Sequence, residues 1–173
     1  IIKKGTLLIQ NGKVVTVGTT VSIPKNTIVV DLEGKTIYPS FIDLYTSFGI
    51  EKPKSSGPVS RGQLYDTKRA GYYWNENIRS EVNAYESFKY DSAKAEEFLK
   101  AGFGVVGTHV QDGIARGTGT LVALNNFDAS KRLVANKITN HFAFTRSALT
   151  AQAYPSSLMG MMALIRQMYY DMD

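Results

Sequence analysis

Val30-Asp31-Leu32-Glu33-Gly34-Lys35-Thr36-Ile37-Tyr38-Pro39-Ser40-Phe41-Ile42-Asp43 is the stretch on which the reading of this chain turns. Glu33-Gly34 is turn chemistry, and it closes a β-branched run over residues 27–32. Pro39 then separates Lys35-Thr36-Ile37-Tyr38 from an apolar run, Phe41-Ile42-Asp43-Leu44-Tyr45. Upstream, Thr6-Leu7-Leu8-Ile9-Gln10 and Lys13-Val14-Val15-Thr16-Val17 flank Asn11-Gly12, the dipeptide best suited to a two-residue hairpin turn. Short strands punctuated in this way predict a small antiparallel β module at the start of the chain.

Downstream the pattern changes. Residues 51–80 lose all periodicity and are rich in Gly, Pro, Ser and charge, which predicts a long mobile loop. Asp91 or Ser92 is placed to cap a helix over residues 93–100, with Ala95, Phe98 and Leu99 on its buried stripe. Ala101-Gly102 stops that helix. Phe103-Gly104-Val105-Val106-Gly107-Thr108-His109 follows as a short apolar run of the kind that fills a buried parallel strand. Two Gly-rich turns, Asp112-Gly113 and Arg116-Gly117-Thr118-Gly119, then lead to the next apolar run, where a strand is expected at residues 120–124; another strand is expected at 138–144. A final helix begins after Tyr154-Pro155, capped by Ser156 or Ser157. Leu158, Met161, Met162, Ile165, Met168, Tyr169 and Met172 recur on one face of it, as a core-facing stripe would.

Composition excludes several classes. At 173 residues the chain cannot hold a complete eight-fold β/α barrel of roughly 250 residues. With 43% hydrophobic residues it is too apolar for an intrinsically disordered chain. No apolar run approaches the ~18 residues of a membrane span. The absence of Cys removes disulfides, thiol catalysis and thiolate metal sites. The net charge of +5 is scattered; even residues 51–69 hold five basic against two acidic residues. A solvated loop explains that better than a nucleic-acid surface, despite Tyr65, Tyr72, Tyr73 and Trp74 nearby. The chain starts at Ile1 without Met and ends in a helical pattern with no stop signal, so a piece of a longer protein is expected.

Little in the spacing carries chemistry outright. Gly113 to Gly119 lacks the Gly-Lys-[Ser/Thr] ending of a phosphate-binding loop and runs into a strand, so turn glycines account for it. His109 and His141 are the only histidines, and no His-x-His or His-Glu-x-x-His spacing occurs. They could meet Asp43 or Asp112 in space, but a catalytic zinc needs three protein ligands, and the spacing argues for none. His109 is the better site candidate, because it stands where a buried strand ends. Ser156-Ser157 lacks the Gly-x-Ser-x-Gly of a nucleophile elbow and is explained by helix capping.

The opening stretch resembles the amidohydrolase superfamily, in which Asp-x-x-Gly-Lys-x-x-x-Pro-Gly-Phe-Ile-Asp leads from a small β-sandwich into the first strand of a (β/α)8 barrel. Ile9-Gln10-Asn11-Gly12-Lys13-Val14-Val15 is similar to that family's first hairpin, and the run from Ala95 to Val106 to its helix and second barrel strand. Arg116-Gly117-Thr118-Gly119-Thr120-Leu121-Val122 and Tyr154-Pro155-Ser156-Ser157-Leu158-Met159-Gly160 resemble the imidazolonepropionase-related branch found in bacteria. The resemblance implies an α/β fold: part of a composite β-sandwich over residues 1–36, then the first units of a TIM-like barrel, truncated, over residues 37–173. It implies a parent that hydrolyses a non-peptide C–N bond, in an amide or cyclic amide, with metal-activated water.

One departure bears on mechanism. The family's metal-binding His-x-His falls on Tyr45 and Ser47, and Ser40 stands in place of Gly. Neutral Tyr and Ser are not usual zinc ligands, so no metal site is expected from this chain and a zinc-like divalent cation only from the full-length parent. Catalytic residues are not assigned. Tyr45, Ser47 and His109 are the candidate ligand-binding residues at the barrel mouth, and the alternative is a catalytically degenerate barrel that binds a ligand or partner. The expected partners are the remainder of the parent chain or a second copy, with a small-molecule substrate for the parent and no nucleic acid or membrane span. The branch favours a periplasmic or secreted setting over a cytoplasmic one.

Overall fold

The structure, a computed structural model, describes residues 2–54, 75–125, 131–150 and 152–172. The chain divides into two compact units, residues 1–38 and 39–173.

In the first unit, β1 (Thr6–Gln10) pairs antiparallel with β2 (Lys13–Gly18). Asn11 and Gly12 turn between them with φ of 53° and 73°. Those two positive values are the signature of the turn whose twist matches the flanking strands. Residues 27–32 do not form the expected strand. Ile28, Val29 and Val30 are exposed, and among the described residues no strand lies beside them to complete a ladder. β-propensity without a partner leaves the backbone unpaired. A β-sandwich is therefore not what this unit displays; its one sheet has two strands. The Glu33-Gly34 turn does form, with φ of 43° and 77° and Lys35 N donating to Leu32 O at 3.0 Å.

The second unit is built on a four-stranded sheet in the order β3 (Phe41–Thr46), β4 (Phe103–Thr108), β5 (Ala115–Ala123), β6 (Leu133–Phe142). β3 and β4 are parallel, linked through a 3₁₀ turn (Ala84–Ser87) and helix α1 (Ser92–Lys100). Asp91 caps α1, its carboxylate accepting from the Ala93 and Lys94 amides at 3.1 Å. The core gathers Phe48, Ala95, Val106, Val122 and Leu124, with Phe88, Tyr90, Phe98 and Phe103 packed around them. Edge-to-face contacts of Phe48 with Tyr90 and Phe98, at 5.6 and 5.9 Å, fix α1 over the sheet.

The sheet departs from the sequence reading at two points, each for an identifiable reason. β5 and β6 run antiparallel to their neighbours, so this sheet is mixed and unclosed. The Arg116-Gly117-Thr118-Gly119 run lies inside β5 and is largely buried. Its glycines serve close approach: a Cβ on Gly117, whose φ is 78°, would meet the Val82 carbonyl oxygen at 2.0 Å. β6 also begins five residues before the expected position.

Of the loop expected at 51–80, residues 55–74 lie outside the described residues. Residues 75–80 are held tightly. Asn75 and Asn77 are buried, Asn75 Oδ1 accepts from Asn77 N and Nδ2, and Asn77 O accepts from the Ile114 and Ala115 amides. Asx turns of this kind supply backbone partners that composition does not reveal.

The last element, α2 (Leu158–Tyr170), is capped by Ser157, whose hydroxyl accepts from Gly160 N at 3.2 Å. Its buried row centres on Leu164, with Met161, Ile165 and Met168 half-buried beside it, while Leu158, Met162, Tyr169 and Met172 are exposed. The inward stripe is thus narrower than expected and rotated toward Leu164.

Candidate functional site

The C-terminal ends of the parallel pair β3 and β4 meet at Thr46 and Thr108. Thr46 Oγ1 donates to Gly107 O at 3.1 Å, and Thr108 Oγ1 donates to Phe48 O at 2.8 Å. His109 N donates to Thr46 O, which fixes the residue after β4 against the end of β3. Gly107 permits this closeness, since a Cβ there would lie 3.1 Å from Leu44 O.

A ring cluster stands on this frame. Tyr45 lies 4.6 Å from His109 between ring centroids. His109 stacks on His141 of β6 at 3.6 Å with an interplanar angle of 4°. Gly119 makes room for the second imidazole; a Cβ at that position would fall 2.6 Å from His141 Nε2. Thr139 Oγ1 and His141 Nε2 share a hydrogen bond of 2.7 Å. Arg116, buried at the start of β5, donates from Nε to Gly113 O and from Nη1 to Tyr45 Oη, both at 3.0 Å.

His109 has no solvent exposure, and neither ring nitrogen has a hydrogen-bond partner among the described residues. Burial pushes its pKa down to about 4, with lesser contributions from His141 and the Arg116 guanidinium. Burial and then Arg116 lower His141 as well. Both imidazoles are therefore neutral near pH 7, each with one N–H donor and one acceptor.

The arrangement does not suit a metal. Imidazole lone pairs lie in the ring plane, so two parallel rings stacked at 3.6 Å cannot both aim at one ion about 2.0–2.1 Å away. Tyr45 has a guanidinium on its oxygen, and a fixed cation there repels a dication. Ser47 sits apart: its carbonyl accepts from Ile50 N in the turn after β3, and its hydroxyl makes no hydrogen bond among the described residues. Among the described residues no group of three or more His, Asp or Glu is placed to hold an ion.

Of the three residues singled out from sequence, Tyr45 and His109 come together and Ser47 does not join them. Arg116 was read only as part of a turn, and His141 ranked below His109; strand pairing between β4, β5 and β6 brings them in. Asp43 turns back locally, accepting from Tyr45 N at 3.0 Å. Asp112 is buried and receives the Ser147 hydroxyl and the Ala148 amide. Beside Arg116 opens a cavity of about 220 Å³, which Arg79, Asp112, Val110 and Leu149 also line. A larger hollow, about 430 Å³ along α2, is lined by none of the cluster.

No family model matches the chain, and no curated protein matches it. Among solved structures, the crystal structure of an amidohydrolase from Thermotoga maritima MSB8 matches with a TM-score of 0.68, at 24% identity, over 95% of this chain and 42% of that one. The fold is amidohydrolase-like. The chain spans less than half the length of that neighbour, and the likeness concerns the path of the backbone. Neither sheet closes into a barrel among the described residues.

Proposed function

We propose that this amidohydrolase-like chain is a ligand-binding element, holding a small organic molecule at the end of β3 and β4 through Tyr45, His109 and Arg116 with no metal among its own residues. The observation that carries this reading is the Arg116–Tyr45 hydrogen bond. It fills with a fixed cation the place where the resemblance puts a metal-binding imidazole. What remains is binding chemistry. A buried guanidinium offers charge, the neutral His109 imidazole offers a donor and an acceptor, and the Tyr45 ring offers an aromatic face. Ligand sites favour this position, outside the carboxyl ends of parallel strands.

A second reading rests on the sequence resemblance, with the fold likeness supporting only its amidohydrolase part: this is part of a truncated TIM-like barrel from the imidazolonepropionase-related branch. A parent of that kind would hydrolyse amides or cyclic amides, and any zinc-like ion in it would take ligands other than Tyr45 and Ser47. The two readings part on one experiment. The 173-residue chain is titrated with small acids, amides and cyclic amides while the His109 and His141 ring resonances are followed. The binding reading expects saturable shifts and no turnover. Hydrolysis lost on Tyr45→Phe would overturn it, as would a panel that leaves both rings unmoved.

A further inference from the structure

The cavity beside Arg116 has a composition that narrows its occupant. Arg116 is buried, yet it meets no carboxylate in ion-pair contact among the described residues. Its protein partners, Gly113 O and Tyr45 Oη, use two of the five guanidinium N–H groups. A buried charge without a counter-charge costs several kcal/mol in general, and proteins normally offset it with a partner or a ligand. Arg79 lines the same cavity, and its only ion pair among the described residues is a long one, 3.9 Å to Glu81.

The carboxylates in that wall are already engaged. Asp112 receives Ser147 Oγ and Ala148 N, and Glu51 pairs with Lys89 Nζ at 2.9 Å. Their charge still disfavours a dianion, while the arginines disfavour a cation. Val110 and Leu149 make the rest of the lining apolar. At about 220 Å³ the space is smaller than the ~300–1,000 Å³ of drug-sized sites, so the ligand has few heavy atoms.

We propose that this cavity binds a small monocarboxylate with an apolar body, its carboxylate on Arg116 and Arg79 and its hydrocarbon against Val110 and Leu149. The planar guanidinium fork matches a carboxylate in two parallel hydrogen bonds. The inference deepens the ligand-binding reading above and rests on it.

The test uses the full 173-residue chain and three isosteric probes, isovalerate, isovaleramide and isoamylamine, with inorganic phosphate as the dianionic control. Isovalerate is expected to shift amides around Ala115 and Val110 saturably, and isovaleramide to bind roughly tenfold or more weakly. Isoamylamine and phosphate are expected not to bind. Arg116→Gln should lose isovalerate by roughly tenfold or more. Because that variant also removes the contact to Tyr45, Arg79→Gln at the half-exposed side of the cavity is the second arm. It should weaken isovalerate several-fold with an unchanged melting temperature. Equal affinity for isovalerate and isovaleramide, stronger phosphate binding, or indifference to Arg79→Gln would overturn the proposal. Amides that move the His109 ring while isovalerate moves nothing would overturn this proposal alone; a silent panel would overturn both readings.

Discussion

His109 is buried, with both ring nitrogens unpartnered among the described residues, and the fold therefore holds it neutral. Its folded pKa of about 4 lies below the ordinary value of 6.5, so between those values the unfolded chain binds a proton that the folded chain does not. Stability is full above about pH 6.5 and drains as pH falls toward 4, by roughly 2–3 kcal/mol from this residue. His141 moves in the same direction. Thermal melts at about pH 7.5 and about pH 5 should show the loss, and His109→Phe should flatten it. Equal melting temperatures at the two values would contradict the burial argument. Gly117 makes the second residue-scale prediction. Its positive φ alone makes Ala cost ~1–3 kcal/mol, and the Cβ would also strike Val82 O, so Gly117→Ala should lower the denaturant midpoint by more than that strain implies. A variant as stable as the parent would show that β5 does not need the close approach of Val82 at Gly117. His109 could be picked out from sequence because it follows a recognisable strand pattern, and Tyr45 because the family resemblance puts a ligand position on it. Arg116 could not, because Tyr45, 71 residues away in the chain, reaches it only through the order of strands in the sheet.

At the scale of elements, local chemistry and non-local pairing separate cleanly. Asn11-Gly12, Asp91 and Ser157 do what turn and cap residues do wherever they occur, and the hairpin and both helices follow from them. Asp91→Ala should therefore cost about 1 kcal/mol, with the loss read as a lower urea midpoint and fraying of residues 92–94 in hydrogen exchange. No change in either would mean that packing of Ala95 and Phe98, and not the cap, starts α1. The second half of β5 was legible as the strand expected at 120–124, but its first half was hidden because glycine in sequence signals a turn, whereas Gly117 and Gly119 are there to admit Val82 O and His141. Residues 27–32 mislead in the opposite sense: β-branched side chains are present but the partner strand is not. On α2, helical periodicity located the element but not its inward row. Seven apolar positions satisfied the pattern, and burial selected Leu164, which was not among them.

The molecule as a whole leaves considerable apolar surface in water. Ile42 and Leu44 on edge strand β3, and Leu158, Met162 and Tyr169 on α2, are all exposed. An open edge strand flanked by such surface is a pairing site. Light scattering is expected to find a dimer or larger species, and Leu158→Glu with Met162→Glu is expected to reduce it; Met161 and Ile165 are poorer choices because they are half-buried. A concentration-independent monomer would contradict this. The central claim is that an amidohydrolase-like fold here presents a metal-free ligand site. It is tested most directly by long-range ¹H–¹⁵N correlation of the His109 and His141 rings, first with equimolar zinc and then with the acid and amide panel. The account predicts ring nitrogens that ignore zinc and shift with a small organic ligand. Zinc that moves both rings together, and stays with the chain through dialysis, would contradict it.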